Sequence, residues 1–175
     1  IASHPAVANC AVVGLPDAAV RESRERIRAA ISNSNFFFPP EKFTVNLAPA
    51  DLRKEGASFD LPIALGILGA NGDLTDGRSI ESTLSVGELS LDGRVRSVRG
   101  ALSIASAARD AKISNLIVPE ENAREASVVQ DVNVFPVKDL RAAADLARDL
   151  DAGRDTAIKP LKLDISDLRG DTSKY

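Results

Sequence analysis

The sequence has no methionine and no tryptophan, one cysteine and one histidine among 175 residues, and aromatic side chains make up only 4% of it. Each scarcity excludes something. Cys10 alone cannot close an internal disulfide. Cys10 and His4 together fall short of a zinc-ligand cluster, so no metal is expected. With so few rings, the core must be assembled from Ala, Val, Ile and Leu. No apolar run reaches the about 20 residues of a membrane-spanning helix. The first residues lack the charged and then apolar pattern of a signal peptide. The expected compartment is the cytoplasm, with no membrane partner. No G-x-x-x-x-G-K-[ST] phosphate loop occurs, so this chain cannot cradle ATP in that manner and no cofactor is expected in it. Lacking any methionine, the chain is read as part of a longer protein.

What is present fits one globular domain. Hydrophobic residues make up 44% and charged residues 27%, and the length is enough to bury a core. The net charge of -3 argues against coating nucleic acid by charge alone, and it leaves room for a local basic patch.

The stretch from Phe43 to Leu68 organises the chain. Phe43, Val45 and Leu47 alternate with polar residues, the signal of a half-buried strand. Pro49 ends it, and a loop carrying Asp51, Arg53, Lys54 and Glu55 follows. After Ser58 and Phe59, Asp60 can cap a helix and Pro62 fits its first turn. The helix LPIALGIL has no polar side and belongs in a core. Its start offers unpaired N–H groups near Ser58, suited to an oxyanion or simply in need of a cap.

Around this unit the chain alternates strands and helices. A strand is expected over Ala6–Val13, and a helix capped by Asp17 over residues 18–33. That helix has Val20, Ile27, Ala30 and Ile31 on its apolar face and a Glu22–Arg26 surface pair. Its Arg21, Arg24 and Arg28 form either a nucleic-acid-binding face or an ordinary solvated one. Phe36, Phe37 and Phe38 are expected to plug the gap between this helix and the sheet, the alternative being an exposed patch for a partner. Leu84–Leu91 reads as a strand, with Gly87 marking a bulge or a close backbone approach. Asp92-Gly93 reads as a hairpin turn before a returning strand over residues 94–98. An alanine-rich helix spans residues 100–111, a strand Leu116–Val118, a short helix residues 121–129 and a strand residues 132–137. Asp139 caps a final helix whose apolar face is Leu140, Ala143, Ala147 and Leu150. Past Asp151 the composition shifts to that of a linker, with an edge strand conceivable at residues 162–165. The pattern is a mixed α/β domain.

Three long runs resemble one family: VVGLPDAAVRESRERIRAAISNS from Val12, VNLAPADLRKEGASFDLPIALGIL from Val45 and VGELSLDGRVRSVRGAL from Val86. They are similar to the amino-terminal domain of the ComM/YifB family, the magnesium-chelatase-like AAA+ proteins of bacteria. That domain in turn resembles the peptidase domain of Lon proteases. The resemblance implies a Lon-peptidase-like, ribosomal-protein-like superfold, with a mixed sheet, packed helices and a central β-hairpin. It divides the chain into a domain over residues 1–151, with its first strand truncated, and a linker over residues 152–175 toward an absent AAA+ motor. Asp167-Leu168-Arg169-Gly170 looks like the approach to that motor. ATP and magnesium would be held there. The whole protein would be a homo-oligomeric, hexameric ring that remodels DNA, with branch migration in natural transformation as the family's role.

The resemblance also bears on catalysis. Gly56-Ala57-Ser58-Phe59-Asp60 matches the Lon run in which the nucleophilic serine is followed by Ala-Gly, so Ser58 stands at the serine's position. Arg99-Gly100-Ala101-Leu102 matches the Lon run that supplies the lysine, so Leu102 stands where the base should be. A leucine accepts no proton, and on a helix facing the sheet it is expected to fill core volume. No catalytic residue is therefore expected. Lys54, four residues from Ser58, and His4 remain weaker candidates for a base. Three functions stand open: a non-catalytic assembly or substrate-handling domain, a peptidase using Ser58, and a DNA-binding module using Arg21, Arg24 and Arg28.

Overall fold

The computed structural model describes residues 10–13, 17–39, 43–46, 57–74 and 82–163. Strand β1 (Cys10–Val13) pairs in parallel with β2 (Phe43–Asn46), with Cys10 opposite Phe43. A parallel pair needs a crossover, and helix α1 (Asp17–Asn33) supplies it. Among its described side chains Ser23, Ile27, Ala30 and Ile31 are buried, at helical spacing, while Arg21, Glu22, Glu25 and Arg28 stay exposed, and the Val20 side chain lies outside those described. Residues 6–9 of the expected first strand, Leu47 and the charged loop from Asp51 to Gly56 lie outside the described residues.

Helix α2 (Asp60–Ala70) buries Leu61, Ile63, Ala64, Leu65, Ile67 and Leu68, as its lack of a polar side predicts. The single strand expected over Leu84–Leu91 is two: β3 (Thr83–Ser85) and β4 (Glu88–Leu89). The break falls at Val86-Gly87, and Gly87 is its cause. Its N–H donates to the Ser58 carbonyl and its own carbonyl accepts from the Leu61 N–H, both at 3.0 Å. Its ladder groups are thus spent on the entrance to α2. A Cβ at Gly87 would lie 2.6 Å from Val95 Cγ1 and 3.2 Å from Leu61 Cδ2, the close approach that the lone glycine suggested.

Strand β4 turns at Asp92-Gly93 into β5 (Val95–Arg96), antiparallel, with Leu89 opposite Val95. Gly93 takes the left-handed φ of 89° that this turn requires. The returning strand is shorter than expected. Val95 N–H bonds instead to the Lys138 carbonyl at 2.9 Å. The Val98 peptide is held at both ends by the Asn122 amide, at 2.8 and 2.9 Å.

Helix α3 (Ala101–Asp110) leads to β6 (Asn115–Pro119), helix α4 (Glu120–Ala126), β7 (Asn133–Val137) and helix α5 (Leu140–Asp151). Strands β3, β6 and β7 form a parallel sheet in that order. Alternate residues of the sheet feed two cores. Ile117, Phe135 and Val137 join residues of α1, α2 and α5, including Ile31, Leu61 and Leu140. Leu116, Val118 and Val134 join Ala101 and Ala105 of α3 and Ala123 and Ala126 of α4. The domain is mixed α/β, with helices on both faces of the parallel sheet. No described helix is long and apolar enough to cross a membrane.

Asp139 caps α5 as expected, accepting from the Ala142 N–H at 2.8 Å. Leu140, Ala143, Ala144 and Leu146 are the buried residues of α5, while Ala147 and Leu150 lie at the edge of the core. The phenylalanine run divides. Phe36 and Phe38 pack against the core, whereas Phe37 is 66% exposed and plugs nothing. Consecutive residues in an extended segment point opposite ways, so three adjacent rings could not all turn inward. The Arg141 guanidinium lies 3.8 Å from the Phe36 ring and donates to the carbonyls of Ser34 and Asn35. Residues 152–163 run along the domain: Thr156 is buried, Ile158 packs on the core and Leu161 N–H donates to the Val134 carbonyl at 2.8 Å.

Candidate functional site at the mouth of helix α2

The sequence places three residues of interest at the start of α2: Ser58, Phe59 and Asp60. Asp60 does not cap the helix. The cap position is Phe59, which offers no side-chain hydrogen bond, and Asp60 is the first helical residue. Its carboxylate turns away from its own helix and is 1% exposed. Oδ1 accepts from Ser23 Oγ at 2.8 Å and from Arg26 Nη2 at 3.3 Å. Oδ2 accepts from Arg26 Nε at 2.8 Å and from the Leu89 N–H at 3.2 Å. Four donors from α1 and β4 thus surround one buried charge. A carboxylate deprived of water is tolerable only when its oxygens are satisfied in this way. The helix N-terminus beneath it adds a favourable dipole.

Arg26 has a second partner besides the one that its own helix offers. The surface pair expected with Glu22 exists, but at 3.9 Å and on the solvent rim, with Glu22 77% exposed. The main partner of Arg26 is Asp60, whose hydrogen bond is the chief reason that the guanidinium is held above its ordinary pKa. Sequence reasoning missed this pair because its members lie 34 residues apart. A faint signal was available: Ser23, Arg26, Ile27 and Ala30 share one helix face, and that face is the buried one.

Ser58 is half-buried, and its carbonyl is taken by Gly87. Among the described residues no nitrogen base hydrogen-bonds its hydroxyl. Lys54 and His4 lie outside the described residues. Leu102 does not fill the core. It is 44% exposed, and its N–H donates to Glu125 Oε1 at 3.1 Å. The buried stripe of α3 is Ala101, Ala105 and Ala108, and Leu102 sits one residue round the helix from it. Ser58 adjoins Phe59 and Leu61 of the α1–α2–α5 core, while the buried face of α3 belongs to the other core.

Arg21 and Arg28 are exposed and Arg24 is partly so, spaced three and four apart on one face of α1. The Arg28 guanidinium lies 5.8 Å from the Phe38 ring. Among the described residues Arg21 and Arg24 have no ion-pair partner, and Glu25 interrupts the basic face. Among the described residues, no cluster of three His, Cys, Asp or Glu could hold a metal ion.

The family model of subunit ChlI of Mg-chelatase matches residues 2–122. The chain is 46% identical over 124 residues to the competence protein ComM of Haemophilus influenzae, covering 71% of this chain and 24% of that protein. It is 41% identical over 155 residues to the protein YifB of Salmonella typhimurium, covering 89% of this chain and 29% of that one. With YifB of Escherichia coli the identity is 38% over 164 residues, covering 91% and 32%. The chain spans 24% to 32% of the length of these relatives.

Proposed function

The chain belongs to the ComM/YifB family of Mg-chelatase-like proteins, and from that premise we propose that it is the non-catalytic amino-terminal domain of an AAA+ ATPase that remodels DNA. In this reading the domain serves ring assembly or the handling of DNA, while ATP and magnesium are held by a motor domain elsewhere in the protein. The whole assembly is a cytoplasmic hexamer acting in branch migration during natural transformation. The similarity to a protein named for competence supports that role.

The observation that carries the non-catalytic reading is the mouth of α2. Its buried charge, Asp60, is committed to Ser23, Arg26 and Leu89. Leu102, at the position where the Lon resemblance expects a lysine, presents hydrocarbon to solvent. A serine hydroxyl at neutral pH needs a base within hydrogen-bond reach to become a nucleophile. The test is Ser58→Ala in the full-length protein. ATP hydrolysis and branch migration should be unchanged, and a fluorophosphonate probe should leave Ser58 unmodified. Labelling that disappears in Ser58→Ala would establish the peptidase reading instead.

Arg21 and Arg24, which have no ion-pair partner among the described residues, favour a second reading, direct DNA contact. The double variant Arg21→Ala with Arg24→Ala decides it. Under the first reading the chain binds a branched junction weakly and loses it at moderate salt, as counterion release predicts. Tight binding at physiological salt that the double variant abolishes would put DNA on this face.

A further inference from the structure

We propose that the crevice at the carboxyl ends of β6 and β7 binds a single oxyanion group, with Arg96 as its principal ligand. Strands β6 and β7 are parallel and end at Pro119 and Val137. The residues that follow them, Glu120, Glu121 and Lys138, line a crevice of about 260 Å³, and Arg94 and Arg96 of the β4–β5 hairpin close it. Ligands of open parallel sheets gather outside the carboxyl ends of the strands, where diverging loops leave a gap. This volume is below the roughly 300 Å³ at which pockets begin to enclose a whole small molecule. It suits one charged group at the end of a larger ligand.

Three cations and two carboxylates line the crevice, and Glu88 stands opposite Arg96 across the hairpin, so selection rests on the placement of one planar fork rather than on net charge. Two of the cations are already paired: Lys138 Nζ lies 3.6 Å from Glu120 and Arg94 Nε 3.3 Å from Asp92. Among the described residues Arg96 has no ion-pair partner. Its planar fork can grip a carboxylate or a phosphate through two parallel hydrogen bonds, which a point charge cannot do.

The backbone under Arg96 is fixed on both sides. Val95 is tied to Lys138, and Val98 is clamped by Asn122. Fixing the strand leaves less backbone freedom to lose on binding, a requirement for useful affinity from so small a contact. Glu121 opposite can accept a hydrogen bond from an N–H or O–H neighbouring the oxyanion, and it opposes a bare multivalent anion.

The test uses inorganic phosphate and N-acetylglycine as the two probes, titrated into the isotopically labelled chain at constant ionic strength and followed by amide NMR shifts. Saturable shifts confined to residues 94–96, 120–121 and 138 are expected, and the tighter probe names the source, phosphate or carboxylate. Arg96→Gln should weaken binding about tenfold, the loss of one charge-assisted contact. Arg96→Lys should fall between, keeping the charge without the fork. Arg21→Gln should have no effect. Shifts that never saturate, shifts of equal size on the Arg21–Arg28 face, or an Arg96→Gln variant that binds like the parent would each overturn the proposal.

Discussion

The entrances to helices α2 and α3 occupy the positions that the Lon resemblance assigns to a serine and a lysine, and they are built in opposite ways. Neither has a side-chain cap: Phe59 fills that place in α2 and Gly100, at φ 77°, in α3. Helix α2 satisfies Leu61 N–H with the Gly87 carbonyl and buries Asp60 among donors from two other elements. Helix α3 borrows a single carboxylate, Glu125, for the Leu102 N–H, and the leucine side chain stays in water. A dyad wants an accessible hydroxyl beside a desolvated amine. Here a buried charge stands next to the serine, and an exposed hydrocarbon stands in the lysine's place. The first entrance is a structural joint and the second is open surface.

If that contrast holds, the largest effect lies at the joint. Asp60→Ala leaves Arg26 facing a vacated, dry site, along with the Ser23 hydroxyl and the Leu89 N–H. It should destabilise the chain by about 3–5 kcal/mol, the range for breaking a buried pair on one side. Urea unfolding measures this. Adding Arg26→Met should recover part of the loss, since an uncompensated charge costs more than a hydrocarbon. A loss below about 1 kcal/mol, as for a surface pair, would mean that the node is not structural and would erase the contrast.

Next comes Gly87→Ala. The new methyl would meet Val95 Cγ1 at 2.6 Å, with Leu61 on its other side, and all three are in the packed interior. Overpacking of this kind should cost about 1–3 kcal/mol. Val95→Ala in the same chain should relieve some of it. Smaller again is Glu125→Ala at the open entrance. It removes one partly solvated hydrogen bond to Leu102 N–H and should cost about 0.5–1.5 kcal/mol in thermal unfolding.

The sequence made the elements readable where a periodic pattern or a local turn residue carried them. The all-apolar run after Pro62 marked a buried helix, Asp92-Gly93 marked the hairpin, and Asp139 marked the cap of α5. Gly87 was legible as a close approach, but not as the point where the chain leaves one sheet for another, because its partners Ser58 and Leu61 are distant in sequence. The same limit hid Asp60–Arg26. Local pattern offers an aspartate near a helix start a cap, and an arginine near a glutamate a surface pair. Only the packing of α1 on α2 reveals that the two long-range partners meet. Leu102 failed for a different reason. A leucine on a helix facing the sheet is expected to be buried, whereas Ala101, Ala105 and Ala108 form the inward stripe. A surface leucine is unremarkable, since folded proteins leave much apolar area in water.

The smallest expected effect tests the open entrance directly. Leu102→Lys would be severe if the leucine filled the core, because an amine would then replace packed hydrocarbon. With the side chain 44% exposed, the lysine can extend into water, and stability should change by no more than about 0.5 kcal/mol, the scale of ordinary surface substitutions. The same variant restores the residue type that the Lon pattern expects opposite Ser58. An amine in water keeps its proton and is no base, since only desolvation or a neighbouring charge lowers its pKa. Leu102→Lys should therefore leave Ser58 unlabelled by a fluorophosphonate probe up to pH 9. Labelling that appears in Leu102→Lys and vanishes in Leu102→Lys with Ser58→Ala would mean that the two entrances approach in solution closely enough to form a dyad. The domain would then be a peptidase fold one substitution away from activity, and its two entrances would be halves of one site.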